Sequence, residues 1–157
     1  MASKLPKSTF VAVAAVAWAD GRMSKAEAQG LLHAAEKLGL TGDELAEVEK
    51  ATKEKVEMSA FDPSGMSDWE KLVTFGIANW ISRLDGVQQG AELDYLRTLH
   101  GKLVGGDVTD YKLRSAAAIA FDVAMMPEGR RPDRFDFVAL EAQLAERFPT
   151  VNRTSMV

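Results

Sequence analysis

The sequence predicts an all-α fold, a single-domain bundle of about seven helices built from two related helix-DG-helix halves, and three observations carry that expectation. Apolar residues recur at spacings of three and four along most of the chain. Ser or Thr followed three residues later by Glu, the capping-box pattern of a helix start, occurs at Ser24/Glu27, Thr41/Glu44 and Ser67/Glu70. Strand signals, by contrast, are nearly absent. At 157 residues the chain is long enough for one core, whereas two separate domains would each be marginal, so residues 1–157 are expected to form one domain.

The first helix is expected from Lys7 to Ala19, with Phe10, Val11, Val13, Ala14 and Ala17 on a broad stripe and Pro6 at the first turn. Its opening, "MASKLPKSTFVAVAAVAWAD", imitates a secretory leader, because Lys4 and Lys7 precede an apolar run and Ala17-Trp18-Ala19 resembles a cleavage site. The run is rich in Ala and Val rather than Leu, and the later sequence gives this segment a structural role. No run approaches the roughly 18 apolar residues that span a bilayer, so a cytoplasmic location is the expectation.

The second helix opens at Ser24 and carries Leu31, Leu32, Ala35 and Leu38 to a stop at Gly39. Thr41 is expected to cap a third, running to about Met58 with Leu45, Val48 and Val56 opposite a Glu/Lys face. Pairs such as Glu49-Lys53 and Lys50-Glu54 on that face add only about 0.2–0.5 kcal/mol each. "SAFDPSGM", residues 59 to 66, reads as a loop. Ser67 starts a fourth helix through Trp69, Leu72, Val73, Phe75, Ile77 and Trp80 to Leu84. After Asp85-Gly86, a fifth presents Leu93, Leu96, Leu99 and Leu103 as a buried stripe. "YKLRSAAAIAFDVAMM" forms a sixth, with Met125 and Met126 expected as core filler. "PEGRRPD" breaks it, Asp133 or a neighbour caps a last helix through Phe137, Leu140, Leu144 and Phe148, and the tail after Pro149 is expected to fray. The halves span about 7–58 and 67–126, and the last helix about 134–148.

The halves share a motif. Asp20-Gly21-x5-Glu27 recurs as Asp85-Gly86-x5-Glu92, both acids displaced by 65 residues, and Leu31 and Leu38 recur as Leu96 and Leu103. Gly takes the left-handed conformation that ends a helix, the Asp before it faces the mouth of the turn, and the Glu on the next helix's first turn points back to the same place. Gly-x5-Glu is also the second half of an EF-hand loop, but Val16, Trp18, Ile81 and Arg83 stand where that loop needs its other acids. One turn alone is under-liganded for a hard cation wanting about 6–8 oxygens, whereas two turns brought together supply four carboxylates, with carbonyls and water completing the shell. The competing reading is structural: Glu27 completes a capping box and gains about 0.3–1 kcal/mol from the helix dipole. That explanation weakens in the second copy, where Gln89 replaces Ser24.

"AVAAVAWADGRMSKAEAQGLLHAAEKLGL" resembles the first half of the TerB-like family associated with tellurite resistance, and "ANWISRLDGVQQGAELDYLRTLHGKLV" resembles its second half, over residues of about 7 to 125. The resemblance implies a bacterial stress-response domain that is not an enzyme and acts with a protein partner, in places within a membrane-adjacent complex. It also implies a divalent cation such as Ca²⁺ held by Asp20, Glu27, Asp85 and Glu92. Gln88 and Gln89 depart from the pattern of the first turn and put the second half-site in doubt.

Other chemistry is poorly supported. A net charge of −4 argues against general nucleic-acid binding and is compatible with attracting cations. The absence of cysteine excludes thiolate metal sites, Fe–S clusters and cysteine nucleophiles. His33 and His100 lack a partner at zinc-ligand spacing and read as surface or interfacial. No P-loop, GxGxxG or nucleophile-elbow motif is present. Arg130, Arg131 and Arg134 form a small basic cluster that reads as a soluble loop. Two readings compete with the cation module: a metal-independent interaction scaffold whose acids are helix caps, and an enzyme with metal-activated water at the same acids.

Overall fold

Two of the three capping signals that punctuate the sequence are realised as hydrogen bonds, and the chain is divided into short helices. In the computed structural model, which describes residues 5–19, 21, 23–83, 90–126, 135–149 and 151, Ser24 and Ser67 each close a reciprocal box with the Glu three residues on. The described residues form seven α-helices: α1 (Lys7–Ala17), α2 (Lys25–Lys37), α3 (Gly42–Ala51), α4 (Asp68–Ile81), α5 (Gly90–Leu103), α6 (Asp110–Ala124) and α7 (Phe137–Arg147). A 3₁₀ turn at Met58–Ala60 and an isolated antiparallel bridge between Gly105 and Val108 complete the regular structure among them. One continuous apolar cluster, from Leu5 to Val151, joins all seven helices.

The 65-residue displacement of the motif is also a displacement of structure. α2 and α5 start at Lys25 and Gly90, and the buried residues Phe10, Leu31 and Leu38 recur as buried Phe75, Leu96 and Leu103. Beyond them the register lengthens: N-cap Thr41 corresponds to N-cap Thr109 and buried Leu40 to buried Val108, the added residues being taken up around the Gly105–Val108 bridge. α1 packs on α4, and the cross contacts are reciprocal, α1 with α5 and α4 with α2. At the centre, the hydroxyls of Thr9 and Thr74 meet at 2.8 Å, both fully buried and 65 residues apart. A residue that touches its own counterpart lies on the axis relating the halves, so this contact marks a pseudo-two-fold axis.

Beyond the axis the halves differ. Gly76 faces Ala116, Ala120 and Leu140; a Cβ there would sit 3.4 Å from the Ala116 carbonyl oxygen and 3.6 Å from Leu140 Cδ1. α4 thus seats both α6 and α7 closely. The α7 end is held by aromatic packing: the Trp80 and Phe135 rings are 4.4 Å apart, and His33 lies 5.2 Å from Phe137 with Nε2 3.2 Å from the Phe135 carbonyl. His33 is interfacial, as expected.

Several local expectations change. The third helix ends at Ala51 rather than near Met58, because Trp18 Nε1–H donates to the Ala51 carbonyl at 2.7 Å and the Thr52 hydroxyl to that of Glu49 at 2.6 Å. The chain turns through residues 52–54 and leaves the helix, and Met58 and Phe61 enter the core. Thr41 makes no side-chain cap, since Gly42 after it is left-handed at φ +59° and disturbs the geometry a cap requires. Asp136 caps α7, accepting from the Ala139 N–H at 2.9 Å, while Asp133 lies outside the described residues. Val151 is buried, so the tail does not fray immediately after Pro149. Met125 and Met126 are exposed rather than core filler, because α6 turns its buried stripe through Leu113, Ala116, Ala120 and Val123.

Thr9→Val should leave the Thr74 hydroxyl without its partner and cost about 1–3 kcal/mol, while Thr9→Val with Thr74→Val together should recover much of that loss, as a double-mutant cycle in urea will show. Gly76→Val should lower stability by about 1–3 kcal/mol in the same assay through overpacking against α6 and α7.

Candidate functional site

The first corner is built by a helix stop and a helix start. α1 is closed at Trp18, whose N–H donates to the Ala14 carbonyl, while the Ala19 N–H donates to that of Val16. Gly21 follows at φ +92°, the left-handed residue the motif requires, with its N–H 2.8 Å from the Trp18 carbonyl. The Trp18 indole, bonded to Ala51, pins the corner to the end of α3. Three residues past Gly21 the chain reaches the N-cap of α2: Ser24 Oγ accepts the Glu27 N–H at 3.0 Å, and Glu27 Oε1 accepts the Ser24 N–H at 2.9 Å. Glu27 is only 3% exposed.

The second corner has the same frame. α4 ends at Ser82, which is fully buried and donates its hydroxyl to the Asn79 carbonyl at 2.9 Å. α5 begins at Gly90, and Glu92, on its first turn, is 2% exposed. Glu27 and Glu92 therefore agree in register and in burial. Asp20 and Asp85, the other two candidate ligands, lie outside the described residues, as do Gln88 and Gln89. Among the described residues no group of three or more His, Asp or Glu side chains gathers as a metal site would require.

The other capping box, at the start of α4 and away from both corners, serves as an internal control. Glu70 Oε1 accepts from the Ser67 N–H at 2.9 Å, and Ser67 Oγ accepts from the Glu70 N–H at 3.1 Å, matching the Ser24/Glu27 geometry. Yet Glu70 is only partly buried. Capping alone does not withdraw a carboxylate from water; the burial of Glu27 comes from its tertiary setting.

Sequence reasoning missed one polar cluster. His100 Nε2 lies 2.7 Å from Asp110 Oδ1, and the Arg114 guanidinium holds Asp110 Oδ2 at 2.6 Å. Arg114, then His100, holds the Asp110 carboxyl below the usual carboxylate range by hydrogen bonding. The Asp110-Arg114 half is legible as an i,i+4 pair, whereas the approach of His100 depends on the turn between α5 and α6. The basic cluster Arg130, Arg131 and Arg134 lies outside the described residues. Among the described residues no helix is long and apolar enough to cross a membrane.

No protein-family model, curated protein or solved structure matches this chain. The TerB-like resemblance rests on the motif residues alone.

Because the Asp110 carboxyl titrates lower in the folded chain than in the unfolded one, its contribution is present above the ordinary aspartate range and is lost as pH falls through the depressed value. Asp110→Asn should therefore reduce the slope of melting temperature against pH on the acid side, below about pH 4, as scanning fluorimetry across a pH series will read.

Proposed function

We propose that this chain is a non-enzymatic, TerB-like stress-response module that binds a divalent cation, Ca²⁺ by the hardness of the ligand set, and works within a protein complex. The observation that carries the reading is the matched burial of Glu27 and Glu92, in the register that also pairs Thr9 with Thr74. Withdrawing carboxylates from water is costly unless hydrogen bonds or cations offset it, and the all-oxygen, cysteine-free character of both corners suits a hard ion. Asp20, Glu27, Asp85 and Glu92 would hold the cation, with backbone carbonyls and water filling the rest of its shell. The ion would tie the α1-α2 corner to the α4-α5 corner and favour one arrangement of the bundle for a partner.

A second reading is a metal-independent scaffold in which the acids only cap helices. The capping bond from Ser24 N–H to Glu27 Oε1 favours it for the first corner. The two readings differ in ion dependence. If the cation reading holds, Ca²⁺ at about 100 times its dissociation constant should raise the melting temperature by roughly 5–10 °C, and chelator should reverse the gain. Asp20→Asn with Asp85→Asn should abolish it. A melting temperature indifferent to both Ca²⁺ and chelator, but lowered by Glu27→Gln, would establish the scaffold reading instead.

A further inference from the structure

α4 and α5 enclose between them an open cavity of about 330 Å³ lined by Phe75, Asn79, Leu93, Leu96, Arg97 and His100. The first half shows what these positions do when they serve packing alone. In the 65-residue register their counterparts are Phe10, Ala14, Ala28, Leu31, Leu32 and Ala35, all apolar, and all buried or partly buried between α1 and α2. The second half keeps Phe75 and Leu96 as a floor but replaces Ala14, Leu32 and Ala35 with Asn79, Arg97 and His100. Three of six facing positions have exchanged apolar packing for hydrogen-bonding groups, and Leu93, expected on the buried stripe, stands 40% exposed at the rim. Such an exchange forfeits burial that the other half retains.

The polar groups are held in place. Asp110, itself fixed by Arg114, engages His100 Nε2, and the His100 ring meets Phe75 edge-on at 5.8 Å. Asn79 Nδ2 donates to the Phe75 carbonyl at 2.8 Å, which fixes its amide. No lining residue is a carboxylate; Asp94 pairs with Arg97 and Asp110 with His100 and Arg114, and neither lines the cavity. The wall thus combines the Arg97 guanidinium and a histidine ring held through Nε2 with an aromatic and aliphatic floor, the composition of a site for a small molecule with an apolar body and an anionic head.

We propose that the α4-α5 cavity, separate from the acidic corners, is a binding site for a small organic anion, its apolar body lying on Phe75, Leu93 and Leu96 beside the His100 ring and its charged group meeting the Arg97 guanidinium. The volume is at the small end of ligand pockets and suits a ligand with one ring. Titrations of phenylacetate and of phenyl phosphate, followed by ¹H–¹⁵N NMR at the Asn79 amide and the His100 ring, test the proposal and distinguish carboxylate from phosphate. Phenethylamine and benzyl alcohol are the controls. One of the anions should give saturable shifts at both residues, and Arg97→Leu, at an exposed position where the first half carries Leu32, should weaken it about tenfold without unfolding the chain. Saturation by neither anion up to about 10 mM, an equal response to the amine or alcohol, or unchanged affinity in Arg97→Leu would overturn it.

Discussion

Two threonine hydroxyls facing each other inside an apolar core set the register of the molecule. Thr9 and Thr74 have no water to turn to, so each satisfies the other, and a slip of α1 along α4 would leave both without that bond. Glu27 is 18 residues beyond Thr9 and Glu92 is 18 beyond Thr74, so the two buried acids stand at matching places along the chain relative to this contact.

From this shared centre the halves have diverged in opposite ways. The first half keeps apolar residues at the six positions that correspond to the cavity lining but has a short α3, stopped when Trp18 takes the Ala51 carbonyl. The second half places Gly76 where the first has Val11, admits α6 and α7 closely, and so gains a larger core on one side of α4. On the α5 side of the same helix it gives up apolar contact for Asn79, Arg97 and His100. Tight packing against α6 and α7 can hold α4 in place while its other face is left open. Rigid support behind an open polar wall is what small-ligand recognition requires.

What was legible in the sequence was what depends on a few neighbouring residues. The Ser24/Glu27 and Ser67/Glu70 boxes formed because each needs only four consecutive positions, and the stop at Gly39 because a left-handed residue there requires Gly. The early end of α3 was not legible, since the group responsible, the Trp18 indole, is 33 residues away. Nor was the His100-Asp110 pair, which depends on how a turn closes, or the exposure of Met125 and Met126, which depends on the face α6 presents. At the corners, the motif anticipated the left-handed Gly21, but not the burial of Glu27 and Glu92. A pattern reading assigns Glu to solvent, and only tertiary packing reverses that assignment.

At Glu27 the capping bond orients the carboxylate, Oε1 accepting the Ser24 N–H at 2.9 Å. Glu70 has the same box and stays partly exposed; the loop before it contains Asp62, whose carboxylate accepts the Ser64 N–H at 2.9 Å within its own turn. Glu92 is as buried as Glu27 although Gln89 precedes its helix in place of a serine. Box without burial at Glu70, and burial without the serine of a box at Glu92, separate the two properties: capping sets the local orientation of the carboxylate, and the fold around the pseudo-two-fold axis removes it from water.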